Sequence, residues 1–253
     1  MIDVVGFEQK TRTTSINLGI TGSNYSEQYL ILDQFFKSGN KIKHLILQVD
    51  MIGLNFTKLP FKLHFPNYMH LFNDTVVSDV YLDNTNQFKF MMWKYIPFIR
   101  YMEYNNNYDI YKMLKGGFEC KTSDEFDKLR GTTYENKPFK SFNIYRYWTI
   151  NQTDWKYLFK IYSLAKKYGS DIIFYTAPLY QKNMSFQLNN DYILTKIRFV
   201  SDSLNIKYFN FMNFKYYRCN DTTLFYDNFH MNEKGSIILT SDLADSIKLK
   251  LKL

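Results

Sequence analysis

Apolar positions recur along the chain in two rhythms: short unbroken runs, and longer stretches at helical spacing. Residues 15–20 read SINLGI and stop at Thr21-Gly22-Ser23, which predicts a strand ending in a turn. Tyr29, Leu30, Leu32, Phe35 and Phe36 fall near a 3.6-residue repeat. They predict a helix with Ser26 as N-cap and Gly39 as its stop. Residues 43–51, KHLILQVDM, read as a buried strand. A strand–helix–strand unit with short links implies a right-handed crossover and a parallel sheet.

The same alternation returns after residue 150. Residues 153–170 form an amphipathic pattern with Thr153 as expected N-cap and Gly169 as stop. Residues 171–179 predict a strand ending at Pro178, residues 189–205 a helix, and 206–211 another short strand. A final helix follows Asn232, its expected cap. Residues 54–150 break the rhythm: they are aromatic-rich, and 86–104 read as one helix or as two divided at Pro97. The sum is an α/β chain, a three-layer α/β/α arrangement around a parallel sheet. One domain over 1–253 would carry a mainly helical insertion or cap over 54–150.

Composition narrows the partners. The chain has 253 residues, 45% apolar and 22% charged, with a formal charge of +8, a globular balance. The basic residues are scattered, with no five-residue basic block, no zinc spacing and no RNA-binding aromatic motif, so a nucleic-acid partner is not expected. No run reaches the roughly 18 apolar residues a bilayer span needs, and residues 1–15 lack an apolar signal core. As written, the chain reads as soluble. Cys120 and Cys219 form no CxxC pair and leave two readings open, buried thiols or one disulfide.

Ligands in open parallel sheets sit beyond the carboxyl ends of the strands. Three expected loops there carry chemistry: Thr21–Asn24, Asp50–Asn55 and Asp227–Gly235. Asp227 and His230 are three apart, so a carboxylate can hold one imidazole nitrogen and leave the other as a base. Two alternatives stand beside this. Asp227 caps a turn while His230 packs on aromatics, or Asp227, His230 and Glu233 ligate a metal. Gly22, at the strand-to-helix turn, is either a plain turn glycine or an oxyanion donor. Asn55 is likewise a turn residue or an amide donor.

Taken together, residues 17–50 resemble the second conserved block of SGNH (GDSL-like) hydrolases and the strand into their third. Residues 226–236, YDNFHMNEKGS, resemble that family's last block, and residues 171–181 the strand and proline before it. The likeness is nearest to the cell-envelope acyl-transfer branch, which includes proteins similar to the lipoteichoic-acid D-alanylation protein. It implies a flavodoxin-like SGNH fold, His230 as general base, Asp227 as its orienting acid, Gly22 in the oxyanion hole and no cofactor. Asp50 stands where the family has Gly-x-Asn, so the third-block asparagine falls to Asn55, several residues late. The family's serine turn precedes the second block and is not found before residue 15. The expectation is an internal methionine at Met1 or a truncated homologue lacking the first strand, with Ser23 as the nearest substitute nucleophile. Envelope relatives carry an N-terminal anchor, expected here only if the true start lies upstream.

The implied function is an esterase or O-acyltransferase acting on an acyl ester, such as one on a cell-surface glycan, and inactive where the serine is lost. The alternative is a non-catalytic module of the same fold that binds carbohydrate or protein. Trp93, Tyr95, Phe98 and Tyr101 suit sugar stacking for that role and suit a core stripe equally.

Overall fold

The computed structural model describes residues 2–20, 22–54, 67–96, 99, 137–141, 147–184, 188–212 and 219–251. Three parallel strands form its sheet: β1 (His44–Gln48), β2 (Asp171–Thr176) and β3 (Lys207–Asn210), in the order β1-β2-β3. Leu47 pairs with Phe174, and Phe174 with Tyr208. Central β2 is buried from Ile172 to Thr176, as a strand covered on both faces should be.

Side-chain alternation sends the strands into two cores. Leu45, Leu47, Ile172 and Phe174 pack with helices α2 (Tyr25–Lys37), α6 (Gln152–Lys167) and α8 (Asn190–Ser203). Ile46, Ile173 and Tyr175 face α1 (Val4–Thr11) and α9 (Glu233–Leu251), through Phe7, Leu243, Ala244 and Ile247. The chain is therefore α/β, with helices on both faces of a small parallel sheet.

The run at residues 15–20 is not a strand. A strand needs a neighbour to take its backbone groups. Among the described residues none flanks β1 on its outer side, and the Asn17 amide oxygen instead accepts from Gly19 N at 2.9 Å.

The helix caps also differ from expectation. Asn24, not Ser26, caps α2, its side chain accepting from Glu27 N at 3.0 Å. Asn151, not Thr153, caps α6, accepting from Thr153 N at 2.8 Å. The stops hold: Gly39 (φ 82°) and Gly169 (φ 74°) each take the left-handed conformation just past a helix end. Asn24 is buried, so Asn24→Ala is expected to cost about 1–2 kcal/mol, read as a lower urea midpoint with an unchanged m-value.

Short helices α3 (Met51–Leu54), α4 (Thr75–Asn84) and α5 (Gln87–Tyr95), with a 3-10 turn at Met69–Leu71, lie in the described part of 51–96, and one more short helix, α7 (Gln181–Met184), follows β2. Phe72 lies 4.9 Å from Tyr81 and 5.4 Å from Phe90 between ring centres, and Trp93 meets Tyr81 edge-on at 6.3 Å. These rings join the same core as Leu47 and Phe174. Trp93 is thus a core residue. Tyr95 is exposed, and Phe98 and Tyr101 lie outside the described residues. The ends of the irregular region meet, Asn151 N donating to Leu54 O at 2.8 Å. Asn189 clamps the returning chain, accepting from Trp148 N at 2.7 Å and donating to Trp148 O at 2.5 Å. Cys219 is a free buried thiol, which burial pushes up to about 11. Cys120 lies outside the described residues.

Candidate active site

The last loop is built before it is used. A 3-10 turn at Thr222–Leu224 leads into an antiparallel bridge, Phe225 with Met231. Asn232 N donates to Leu224 O at 3.0 Å and Tyr226 N to His230 O at 3.1 Å, closing the loop around Asp227. Asn232 then caps α9, its side chain accepting from Gly235 N at 3.0 Å and donating to Thr223 O at 2.8 Å. Gly235 is required by space: a Cβ there would stand 2.1 Å from Leu224 O. Tyr180 N donates to Asn228 O at 3.2 Å, docking the loop onto the exit of β2 at the carboxyl end of the sheet.

Inside this loop Asp227 does two jobs at once. Its Oδ1 accepts from Phe229 N at 2.7 Å and His230 N at 2.8 Å, the turn-capping role. Both carboxylate oxygens also stand 2.9 Å from His230 Nδ1, the orienting role. The turn-capping contacts and the carboxylate–imidazole contact therefore occur together in one loop. Partial burial raises the Asp227 carboxyl, but the His230 ring and the two amides outweigh it and hold the group below its ordinary value. The Asp227 side chain is 17% exposed and that of His230 57%. The imidazole stacks on Tyr226 with planes 9° apart and centres 5.2 Å apart. A ring held by a carboxylate at Nδ1 and by an aromatic face has Nε2 without a hydrogen bond among the described residues, an arrangement suited to taking a proton.

Neither Gly22 nor Ser23 is hydrogen-bonded to Asp227 or His230. Gly22 has φ 77° and is exposed, a turn glycine by conformation. The Ser23 hydroxyl is 3.5 Å from Gln28 Nε2. Among the described residues no serine hydroxyl is hydrogen-bonded to His230. Asn55 lies outside the described residues. Asp50 caps α3, accepting from Gly53 N at 2.8 Å and from Gln48 Nε2 at 2.6 Å. No group of three His, Cys, Asp or Glu placed to hold a metal ion occurs among the described residues, and Asp227, His230 and Glu233 do not converge as one.

Two features near the carboxyl end of β1 have no signature in the sequence. Gln48 links Asp50 to Tyr175, whose hydroxyl donates to Gln48 Oε1 at 3.0 Å. This contact depends on the β1–β2 register and not on local spacing. Asp154 is buried in the first turn of α6 with neither carboxylate oxygen hydrogen-bonded. Burial pushes its carboxyl up to about 7, the Tyr25 backbone amide offsetting a part.

No protein family, curated protein or solved structure matches the chain in sequence or fold comparison. Among the described residues no helix is long and apolar enough to cross a membrane.

Proposed function

We propose that Asp227 and His230 form the base-and-orienter half of an SGNH-type acyl-transfer site, acting on an acyl ester such as an O-acyl group of a glycan. The observation that carries this reading is the two-oxygen grip on His230 Nδ1 at 2.9 Å, which leaves Nε2 of this exposed side chain as the basic nitrogen. The parallel sheet and the position of the loop at its carboxyl end support the family likeness of residues 226–236. In this mechanism a serine hydroxyl attacks the ester carbonyl and gives its proton to His230. The imidazolium is stabilised by Asp227 and returns the proton to the leaving alkoxide. Backbone amides hold the oxyanion, Gly22 among them by the likeness. The third-block asparagine falls to Asn55 by the same likeness.

A second reading is favoured by one observation, the Ser23 hydroxyl lying against Gln28 and not against His230. In it, the fold serves as a binding or assembly module. Short-chain nitrophenyl esters and a fluorophosphonate label separate the two. For the enzyme, His230→Ala lowers ester turnover on the order of a thousandfold, Asp227→Asn lowers it less, and the label maps to one serine. Turnover that survives His230→Ala rejects the base assignment; no turnover and no labelling favour the binding module.

A further inference from the structure

Helix α5 is apolar around most of its circumference, and among the described residues only one side of it is covered. Phe90 and Trp93 enter the core. Phe88 (73% exposed), Met91 (41%) and Tyr95 (67%) form a second stripe on the opposite side, at the i, i+3, i+7 spacing of one helix face. A helix apolar all round is ordinarily buried all round, so this stripe calls for an occupant.

The lysines indicate which one. At 3.6 residues per turn, Lys89 falls on one border between the buried and exposed stripes and Lys94 on the other. Their ammonium groups lie back over core rings, Lys89 Nζ at 5.0 Å from the centre of Trp93 and Lys94 Nζ at 6.0 Å from that of Phe90. Residues 87–95 contain no acid, and the chain carries +8 overall. Aromatic ends, an apolar centre and a cationic fringe on both sides match the interfacial layer of a bilayer. There the rings enter the acyl boundary and the ammonium groups meet lipid phosphates. With nine residues the helix is only about 14 Å long, so it lies in the surface plane. We propose that the exposed face of α5 docks the protein on an anionic lipid surface.

Vesicle flotation with the full chain tests this, comparing phosphatidylcholine alone with a mixture containing about one third phosphatidylglycerol. The expected result is binding to the anionic vesicles that weakens with salt. A variant carrying Phe88→Ser and Tyr95→Ser loses at least about tenfold in binding while its circular dichroism and melting stay those of the wild type. Lys89→Ala and Lys94→Ala each lose about fivefold and flatten the salt dependence. Absence of binding by the wild type overturns the proposal, as does binding indifferent to all four substitutions. Light scattering adds a third arm: a dimer that the Phe88→Ser, Tyr95→Ser variant dissolves would make a second copy the occupant instead.

Discussion

Asp154→Asn is expected to make the protein more stable at pH 8.5 and to leave it nearly unchanged at pH 4. Asp154 is 1% exposed, and neither of its oxygens has a hydrogen-bond partner. Its carboxyl is raised from 3.8 to about 7 in the fold. The sign follows from linkage. The folded state holds the proton more tightly than the unfolded chain, so stability is full below about pH 4, falls as pH rises through 7, and is flat above. A shift of that size corresponds to at most about 4 kcal/mol at high pH. An asparagine carries no charge to desolvate, and it removes the slope. Urea titrations between pH 4 and 8.5 measure this directly. A wild-type stability that does not fall between pH 5 and 8, or a variant with the same slope, means the carboxylate is stabilised in the fold and not stranded. No basic side chain offsets the burial of Asp154, and the Tyr25 backbone amide does so only in part.

Gly235→Ala is expected to be the most damaging small substitution near the candidate site. The new methyl would meet Leu224 O at 2.1 Å and Met231 Cε at 2.9 Å. The methionine can move, but the carbonyl cannot move cheaply, because it accepts the Asn232 amide that closes the loop. Either α9 retreats by a fraction of its first turn or the 222–225 turn opens. Overpacking of this kind against backbone costs about 3 kcal/mol. It should also loosen the two-oxygen contact at His230, since Asp227 sits inside the same closed loop. A thermal melt reads the first effect. The pH titration of the His230 ring, followed by NMR, reads the second. A variant that melts like the wild type would show that the close approach at Gly235 is relaxed in solution.

Much of this architecture is legible in the chain because parallel strands buried on both faces must be continuous apolar runs. Residues 171–176 hold such a run, and the edge strands at 44–48 and 207–210 carry shorter apolar stretches, Leu45–Leu47 and Tyr208–Phe209. The final loop was legible for a different reason: Asp227, His230, Asn232 and Gly235 act within nine residues, so spacing carries their geometry. Local reading failed where the outcome depends on competition or on distance. Both expected hydroxyl caps lost to an asparagine two residues earlier, Asn24 ahead of Ser26 and Asn151 ahead of Thr153. In each case the asparagine oxygen reaches amides of the first turn and leaves the hydroxyl residue inside the helix. The run at 15–20 has the composition of a strand but no neighbour among the described residues to make it one. Asp154 looks like an ordinary acid in a helix's first turn, where it would favour the dipole. Only the packing of α6 on α2 and α3 reveals that water has been removed from it.

The sheet register has a further consequence, for the order of events during folding. The hydrogen bond from Tyr175 to Gln48 joins residues 127 apart in the chain, whereas β2, α8 and β3 are neighbours in sequence. Closing the longer loop costs more chain entropy before any contact returns it. The β2–α8–β3 unit is therefore the natural early nucleus, and β1 is the strand that waits. On a ribosome, residues 44–48 emerge long before β2 exists, an apolar segment with both edges unpaired. Leu54 and Asn151 then act as the clasp of this late step. Their hydrogen bond brings the ends of the intervening chain together, so that α2 and β1 dock beside β2 as one piece.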